Sequence, residues 1–417
     1  MVKLFWLEFK SLICSKKIIA FLVSAVFISI LLAVIPISMA SADIMDCEGN
    51  SCELNGLSAI QYWKASFASS NGAVTTQKLK YALTTYQESV KNYGSPEKDT
   101  FPADVKYKMI TPNTPLYMLI LDAYNKGRVN NLQNGAAVSL EKIDVHNLDD
   151  FYQMCASGVE QELISSGVSD KTRNLAISMY KEVEKPFMYF SGYTSELPTY
   201  LSMDIFILVL FSVVVCSSSF AEGYESGSDQ ILRCARFGRN KLAWARILAS
   251  ILVCAAIYLV GITIHTIIID ICYGTDSLKS SVQSMGDTSV LINMSIGELQ
   301  ISLILMGFLT LIATSSMTLF ISSNARNSSG ALVVSMFFAM LPTFLYATTG
   351  NSWVYAALPS RGVGFPDTDM LAGLMKCRFL ELGNNSFWNP HITLCAAILW
   401  TPLLMAFTVR SYCRHKN

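Results

Sequence analysis

Apolar residues in this chain gather in long unbroken runs instead of the short alternations of a soluble core. A helix crossing the hydrocarbon of a bilayer needs about 20 predominantly apolar residues. Six segments meet that length: Ile18–Ala40, Leu201–Phe220, Leu242–Ile271, Leu299–Ser322, Gly330–Ala347 and Ile392–Val409, the last two at the short end. The pattern predicts an all-α polytopic membrane protein with six transmembrane helices. Lysines before the first segment and Ala40, Ser41 and Ala42 after it also fit a signal peptide. Its apolar stretch, however, is far longer than a signal core of about 7–15 residues, so it reads as a retained helix.

Lys and Arg divide between the two sides of such a bundle. Lys3, Lys10, Lys16 and Lys17 precede the first span; Arg233, Arg236, Arg239 and Lys241 join spans two and three; Arg326 joins four and five; Arg410, Arg414 and Lys416 end the chain. Cationic loops resist translocation, so this side and both termini are expected in the cytoplasm. The other side then receives a region at 41–200, a short loop around Lys279 and a segment at 350–391. The region at 41–200 is rich in Tyr, Leu and Ala and poor in Gly/Ser runs, which predicts a mostly helical extracellular domain between helices 1 and 2. Within it, Leu57–Tyr93 reads as a long helix or a pair broken near Asn71-Gly72, and Leu116–Tyr124, too short to span, as a core helix ended by Gly127. Asn147 and Ser169 look like helix starts.

The remaining boundaries follow. Residues 1–17 form a cytoplasmic amphipathic interfacial helix, with Leu4, Phe5, Leu7 and Leu12 against charge on the other face. Residues 18–40 are the first span, 201–349 hold spans two to five, and 392–417 hold the sixth span and a cytoplasmic tail. In 350–391, Trp353–Pro359 and an apolar helical pattern at Met370–Leu380 flank turn formers and suggest external half-helices, covered by protein where they dip into the membrane.

Composition adds exclusions. The chain is 52% hydrophobic and 15% charged, too apolar for one soluble core, and its formal net charge of zero gives no reason to expect nucleic acid. It contains no Gly-x4-Gly-Lys-Ser/Thr phosphate loop, no His-Glu-x2-His, no Gly-x-Ser-x-Gly and no paired Cys-x2-Cys, and its four histidines are scattered. These absences argue against an enzyme and against a cofactor or metal held by this chain. Of eleven cysteines, most sit in spans or on the cytoplasmic side. Cys47 and Cys52 lie outside in a Gly/Asn/Ser turn whose spacing permits a local disulfide, with Cys155 and Cys377 as rival partners. His265, about one turn inside the outer end of span three, is a candidate for the lining of a pathway, or simply a hydrogen-bonding partner of a neighbouring helix. Asp204, Asp270 and Glu298 read as headgroup-level residues at span edges.

The most specific stretch follows span two and runs from Glu222 to Arg246. It resembles the ABC-2 family of exporter permeases, in which an acidic residue, a glycine, a leucine on a short helix, an arginine in a turn and a basic residue lead into span three. Here Glu225, Gly227, Leu232, Arg239 and Arg246 match in that order, and Arg236-Phe237-Gly238 stands where the family has a proline before the arginine. The amphipathic start, the insert between the first two spans and the Pro/Gly-containing segment before the sixth agree with that architecture. The resemblance implies a plasma-membrane permease paired with a second permease, identical or related, and driven by a separate ABC ATPase that holds ATP and Mg. It also implies that 222–246 is the coupling segment, with Ile231, Leu232, Ala235 and Phe237 as an apolar docking surface ringed by Arg233, Arg236 and Arg239. The plainer reading of these arginines is topology alone. Readings of other classes are a non-transporting sensor or assembly protein whose external domain binds a peptide or cell-wall ligand, and an intramembrane enzyme.

Overall fold

The computed structural model describes residues 2–45, 51–98, 100–127, 139–234, 238–383 and 385–414. Helices make up about 76% of the chain, so it is an all-α polytopic protein despite short strand pairs. Among the described residues, six helices are long and apolar enough to cross a membrane.

Helix α1 (Val2–Ile13) lies beside the first long helix, α2 (Lys16–Met39). No residue of α1 is fully buried, yet Leu4, Phe9 and Leu12 pack on the core while Trp6 and Leu7 face outward. After α2 the chain forms the antiparallel pair β1 (Ser41–Met45) and β2 (Ser51–Asn55), then α3 (Leu57–Ser66), β3 (Gly72–Ala73) and α4 (Thr76–Tyr93). The break between α3 and α4 falls at Asn71-Gly72, where Gly72 takes a φ of 97° that only glycine adopts without strain. A single turn, α5 (Ala103–Val105), precedes α6 (Thr114–Gly127), α7 (Phe151–Ser165) and α8 (Asp170–Lys181), and β4 (Met188–Tyr189) pairs with β3. These helices bury Leu79, Leu83, Leu119, Ile120, Phe151, Val159 and Leu163. The Ser169 side chain caps α8 by accepting from the Thr172 amide. Asn147 caps nothing: Asp144 accepts from the His146 amide and opens a 3-10 turn that runs into α7.

The remaining long helices are α9 (Leu197–Glu225), α11 (Asn240–Tyr273), α12 (Ile296–Asn324), α13 (Ser328–Thr349) and α16 (Asn389–Arg414), with the short α10 (Ser228–Cys234) between α9 and α11. The membrane-length windows of α9, α11 and α12 are more than half buried, whereas those of α2, α13 and α16 are at most one-third buried. The first three therefore form the centre of the bundle and the others its apolar periphery. Without a hydrophobic force between helices in lipid, close approach needs small residues. Gly261 of α11 meets Ser29 of α2, and Gly307 of α12 meets Ile205 of α9, each so closely that an added Cβ would come within 2.8 Å of the neighbour. A Ser295–Glu298 capping box starts α12, which fixes Glu298 as a helix cap.

Between α13 and α16 come α14 (Trp353–Ala356), α15 (Met370–Met375) and the hairpin β5 (Phe379–Leu382) and β6 (Asn385–Trp388). This corrects the helix expected over Met370–Leu380. It stops at Met375 because Lys376 binds the Asp367 carboxylate and Arg378 donates to the Asp367 carbonyl, 2.6 Å away, turning the chain so that Phe379 and Leu380 become strand residues. The hairpin reaches the inter-span helices, where the Glu381 carboxylate accepts from the Ser169 amide at 2.9 Å and from the Thr172 hydroxyl. The α11–α12 loop reaches them too. Asp122 accepts from the Thr288 amide and hydroxyl, both at 2.7 Å, and Tyr180 donates to the Thr288 carbonyl at 2.8 Å. The chain between α2 and α9, the α11–α12 loop and the segment before α16 thus gather at one end of the bundle, and the α9–α11 connection lies at the other.

Candidate functional site

At that other end, α9 stops at Glu225 and turns through Gly227, whose φ of 71° suits glycine. The seven-residue α10 then folds back toward α11. Its anchor is Asp229, a buried carboxylate set between two guanidiniums: Arg233 Nε lies 3.7 Å and Arg246 Nη1 3.6 Å away. The Tyr412 hydroxyl donates to Asp229 Oδ1 at 2.7 Å, and Arg233 Nη2 donates to the Tyr412 carbonyl at 2.7 Å. Arg246 also faces Glu8 of α1, Nε to Oε2 3.6 Å. Both guanidiniums lie over the Tyr412 ring, at 5.2 Å for Arg233 and 6.0 Å for Arg246, where the ring face favours a cation. Two carboxylates balance two guanidiniums, as burial of charge requires. The knot joins α1, α10, α11 and the end of α16 into one unit.

The residues expected to couple this segment to a partner separate into two sets. Ile231 is 78% and Leu232 39% exposed on α10, an apolar pair left facing outward. Glu225 is exposed and accepts from the Ser328 amide at 3.2 Å, tying α9 to the start of α13, and Arg239 is exposed just before α11. Arg246, by contrast, is turned inward and serves the knot. Arg236, with Ala235 and Phe237, lies outside the described residues. Asp229, Glu8 and Tyr412 escaped the sequence reading. Only the Asp229–Arg233 spacing of one helical turn hinted at a pair, whereas the partners on α1 and α16 are far away along the chain.

A second polar cluster lies among the spans. Asp204 is fully buried, not at a span edge as its sequence position suggested, because α9 begins at Leu197 and carries it two turns into the helix. Its Oδ1 accepts from Ser29 of α2 at 2.9 Å, and Oδ2 faces His265 Nδ1 of α11 at 3.4 Å. Neither of those last two atoms has a hydrogen-bonding partner among the described residues, so a carboxyl and an imidazole face each other unbonded between α9 and α11. His265 is packed between helices, with 1% of its surface exposed. Asp270, half-buried, accepts from Gln300 of α12 at 3.3 Å.

At the opposite end, a cleft of about 460 Å³ opens where α2, α3, α6 and the start of α9 meet, walled by Trp63, Phe67, Met118, Tyr193 and Tyr273. Cys52 sits on β2 opposite Ile44, and Cys47 lies outside the described residues. Cys155 is buried in the core of the inter-span helices, where burial pushes its thiol up to about 12 and makes it a packing residue.

The fold and these clusters define the class: a helical membrane protein of six apolar helices with a folded region on the chain between the first two. The chain matches no family model and no curated protein.

Proposed function

We propose that this chain is the membrane-spanning permease subunit of an ATP-driven exporter of the ABC-2 type. In this reading both termini and α10 are cytoplasmic, the inter-span region is extracellular, and the chain resides in the plasma membrane. It pairs with a second permease, and the export pathway runs between the two. A separate ATPase carries the ATP and Mg.

The observation that carries this reading is the build of the α9–α11 connection. An exposed apolar pair, Ile231 and Leu232, stands on a helix whose other face is clamped by Asp229, Arg233 and Arg246. A docking helix needs this combination. Its outer face must give up water to a groove on the partner, and its inner face must be stiff enough to pass movement on. Movement of α10 would reach α11 through Arg246, α1 through Glu8 and α16 through Tyr412. Arg239 and Glu225 flank the apolar pair and set the charge pattern that a partner must complement.

The sensor reading has one observation in its favour, the aromatic cleft between the inter-span helices and the spans, which suits an apolar or amphipathic ligand. The two readings separate at α10. With Ile231→Cys in the full-length protein, a short thiol-to-amine cross-linker applied to native membranes should join it to a chain that bears a phosphate loop. Cross-linking only to a kinase or regulator lacking that loop would favour the sensor.

A further inference from the structure

A shallow surface cavity of about 490 Å³, largely open to the outside, lies at the ends of α12 and α16, lined by Phe320, Asn324, Phe407, Arg410, Ser411 and Arg414. Asn324 and Ser411 satisfy one another, the hydroxyl donating to Asn324 Oδ1 at 2.8 Å. Arg410 and Arg414, one helical turn apart and both exposed, pair with no carboxylate among the described residues. The floor is apolar, with the Phe320 and Phe407 rings 6.1 Å apart.

Below the cavity the same face of α16 continues as Phe407, Leu403 and Leu399, spaced four residues apart and all exposed. From Phe407 to Leu399 the helix rises about 12 Å, close to the roughly 15 Å of hydrocarbon in one leaflet. Two guanidiniums with no carboxylate partner among the described residues, at the end of a membrane-length helix and above an apolar lane one leaflet deep, match a molecule with a phosphodiester head and acyl chains. Arginine's planar fork suits phosphate oxygens, and a negatively charged leaflet concentrates such lipids beside it. We propose that Arg410 and Arg414 clamp the headgroup phosphate of an anionic phospholipid whose acyl chain runs along Phe407, Leu403 and Leu399. The site needs neither the transport nor the sensor reading.

Lipid retention tests it. The full-length protein is reconstituted in phosphatidylcholine containing a minor share of phosphatidylglycerol and re-extracted in mild detergent, and the retained lipids are quantified by mass spectrometry. Wild type should retain phosphatidylglycerol in excess of its share. That enrichment should fall by about fivefold for each arginine replaced in Arg410→Gln and Arg410→Gln/Arg414→Gln. Phe407→Ala, with the charges intact, should lower retention of both lipids. If the double variant fails to insert, the single variant is decided by the same readout. Equal retention of the two lipids by wild type, or unchanged enrichment in the arginine variants, would overturn the proposal. Displacement of the lipid by millimolar inorganic phosphate would make this a phosphate site, and a changed oligomeric mass with unchanged lipid would make it a protein contact; either result also overturns it.

Discussion

Asp229→Asn is the sharpest perturbation of the polar knot, since it keeps size and shape and removes one charge. In the native protein Asp229 lies within 3.7 Å of two guanidiniums that are themselves almost buried. Without the carboxylate, Arg246 keeps Glu8 and Arg233 keeps the Tyr412 carbonyl, and the two guanidiniums lose the anion set between them. Breaking a buried pair by deleting one member costs about 3–5 kcal/mol. The separations here are longer than those of a tight charge-assisted hydrogen bond, and the asparagine can still accept from Tyr412, so the low end applies, about 3 kcal/mol. In a protein of 417 residues that is a fall of roughly 3–4 °C in Tm. Glu222→Gln serves as the control, because its bond with Lys17 is solvent-exposed at both ends and exposed pairs contribute about 0–1 kcal/mol. The assay is thermal unfolding of detergent-purified protein followed by tryptophan fluorescence. Equal Tm values for Asp229→Asn and Glu222→Gln would refute the knot as a stabilising unit.

Gly261→Val should destabilise by about 1–3 kcal/mol through overpacking, since its Cβ would come within 2.8 Å of Ser29 Oγ; an unchanged Tm would contradict the close packing of α2 on α11. Hydrogen bonds from Ser169 and then Thr172 hold the Glu381 carboxyl below its ordinary value, so its tie to α8 is present above the usual glutamate range and lost as pH falls through the depressed folded value. Protection of the Ser169–Thr172 amides, corrected for the intrinsic exchange rate at each pH, should therefore fall in wild type as pH drops below the usual glutamate range and already be low at neutral pH in Glu381→Ala, whereas protection independent of pH would count against the tie. For sidedness, an impermeant thiol reagent should label a cysteine placed at Gly72 but not one at Asn327 in intact cells, and the reverse pattern would invert the assigned orientation.

The six long helices were legible because apolar length is a property of the chain alone, and their ends shifted by a few residues because polar residues such as Glu225 continue the helical hydrogen bonding. The start of α8 was legible for a similar reason, since a serine cap and the amide it serves are three residues apart. Asp204 was misplaced because the apolar run starts later than the helix that carries it. The β5–β6 hairpin was hidden because Phe379 and Leu380 continue an apolar pattern, and only the tie of Lys376 and Arg378 to Asp367 breaks it. For Arg246 the sequence revealed a basic residue at the right place, but not that its partners, Asp229 and Glu8, would come from α10 and α1 and turn it inward.

The claim that α10 docks an ATPase is tested most directly by Leu232→Asp. Leu232 lies on the exposed face of α10, away from the knot and outside every membrane-length helix, so the variant should insert and fold. In a docked complex the new carboxylate would be buried without a partner, at a cost of several kcal/mol. The measurement is co-purification of the phosphate-loop ATPase with the full-length protein, and ATP hydrolysis by the purified material, for wild type and variant at equal expression. The account predicts that the ATPase and its activity accompany wild type and are lost from Leu232→Asp, while both proteins elute alike in the absence of the partner. Retention of both in the variant would contradict it and leave the segment as a topology signal.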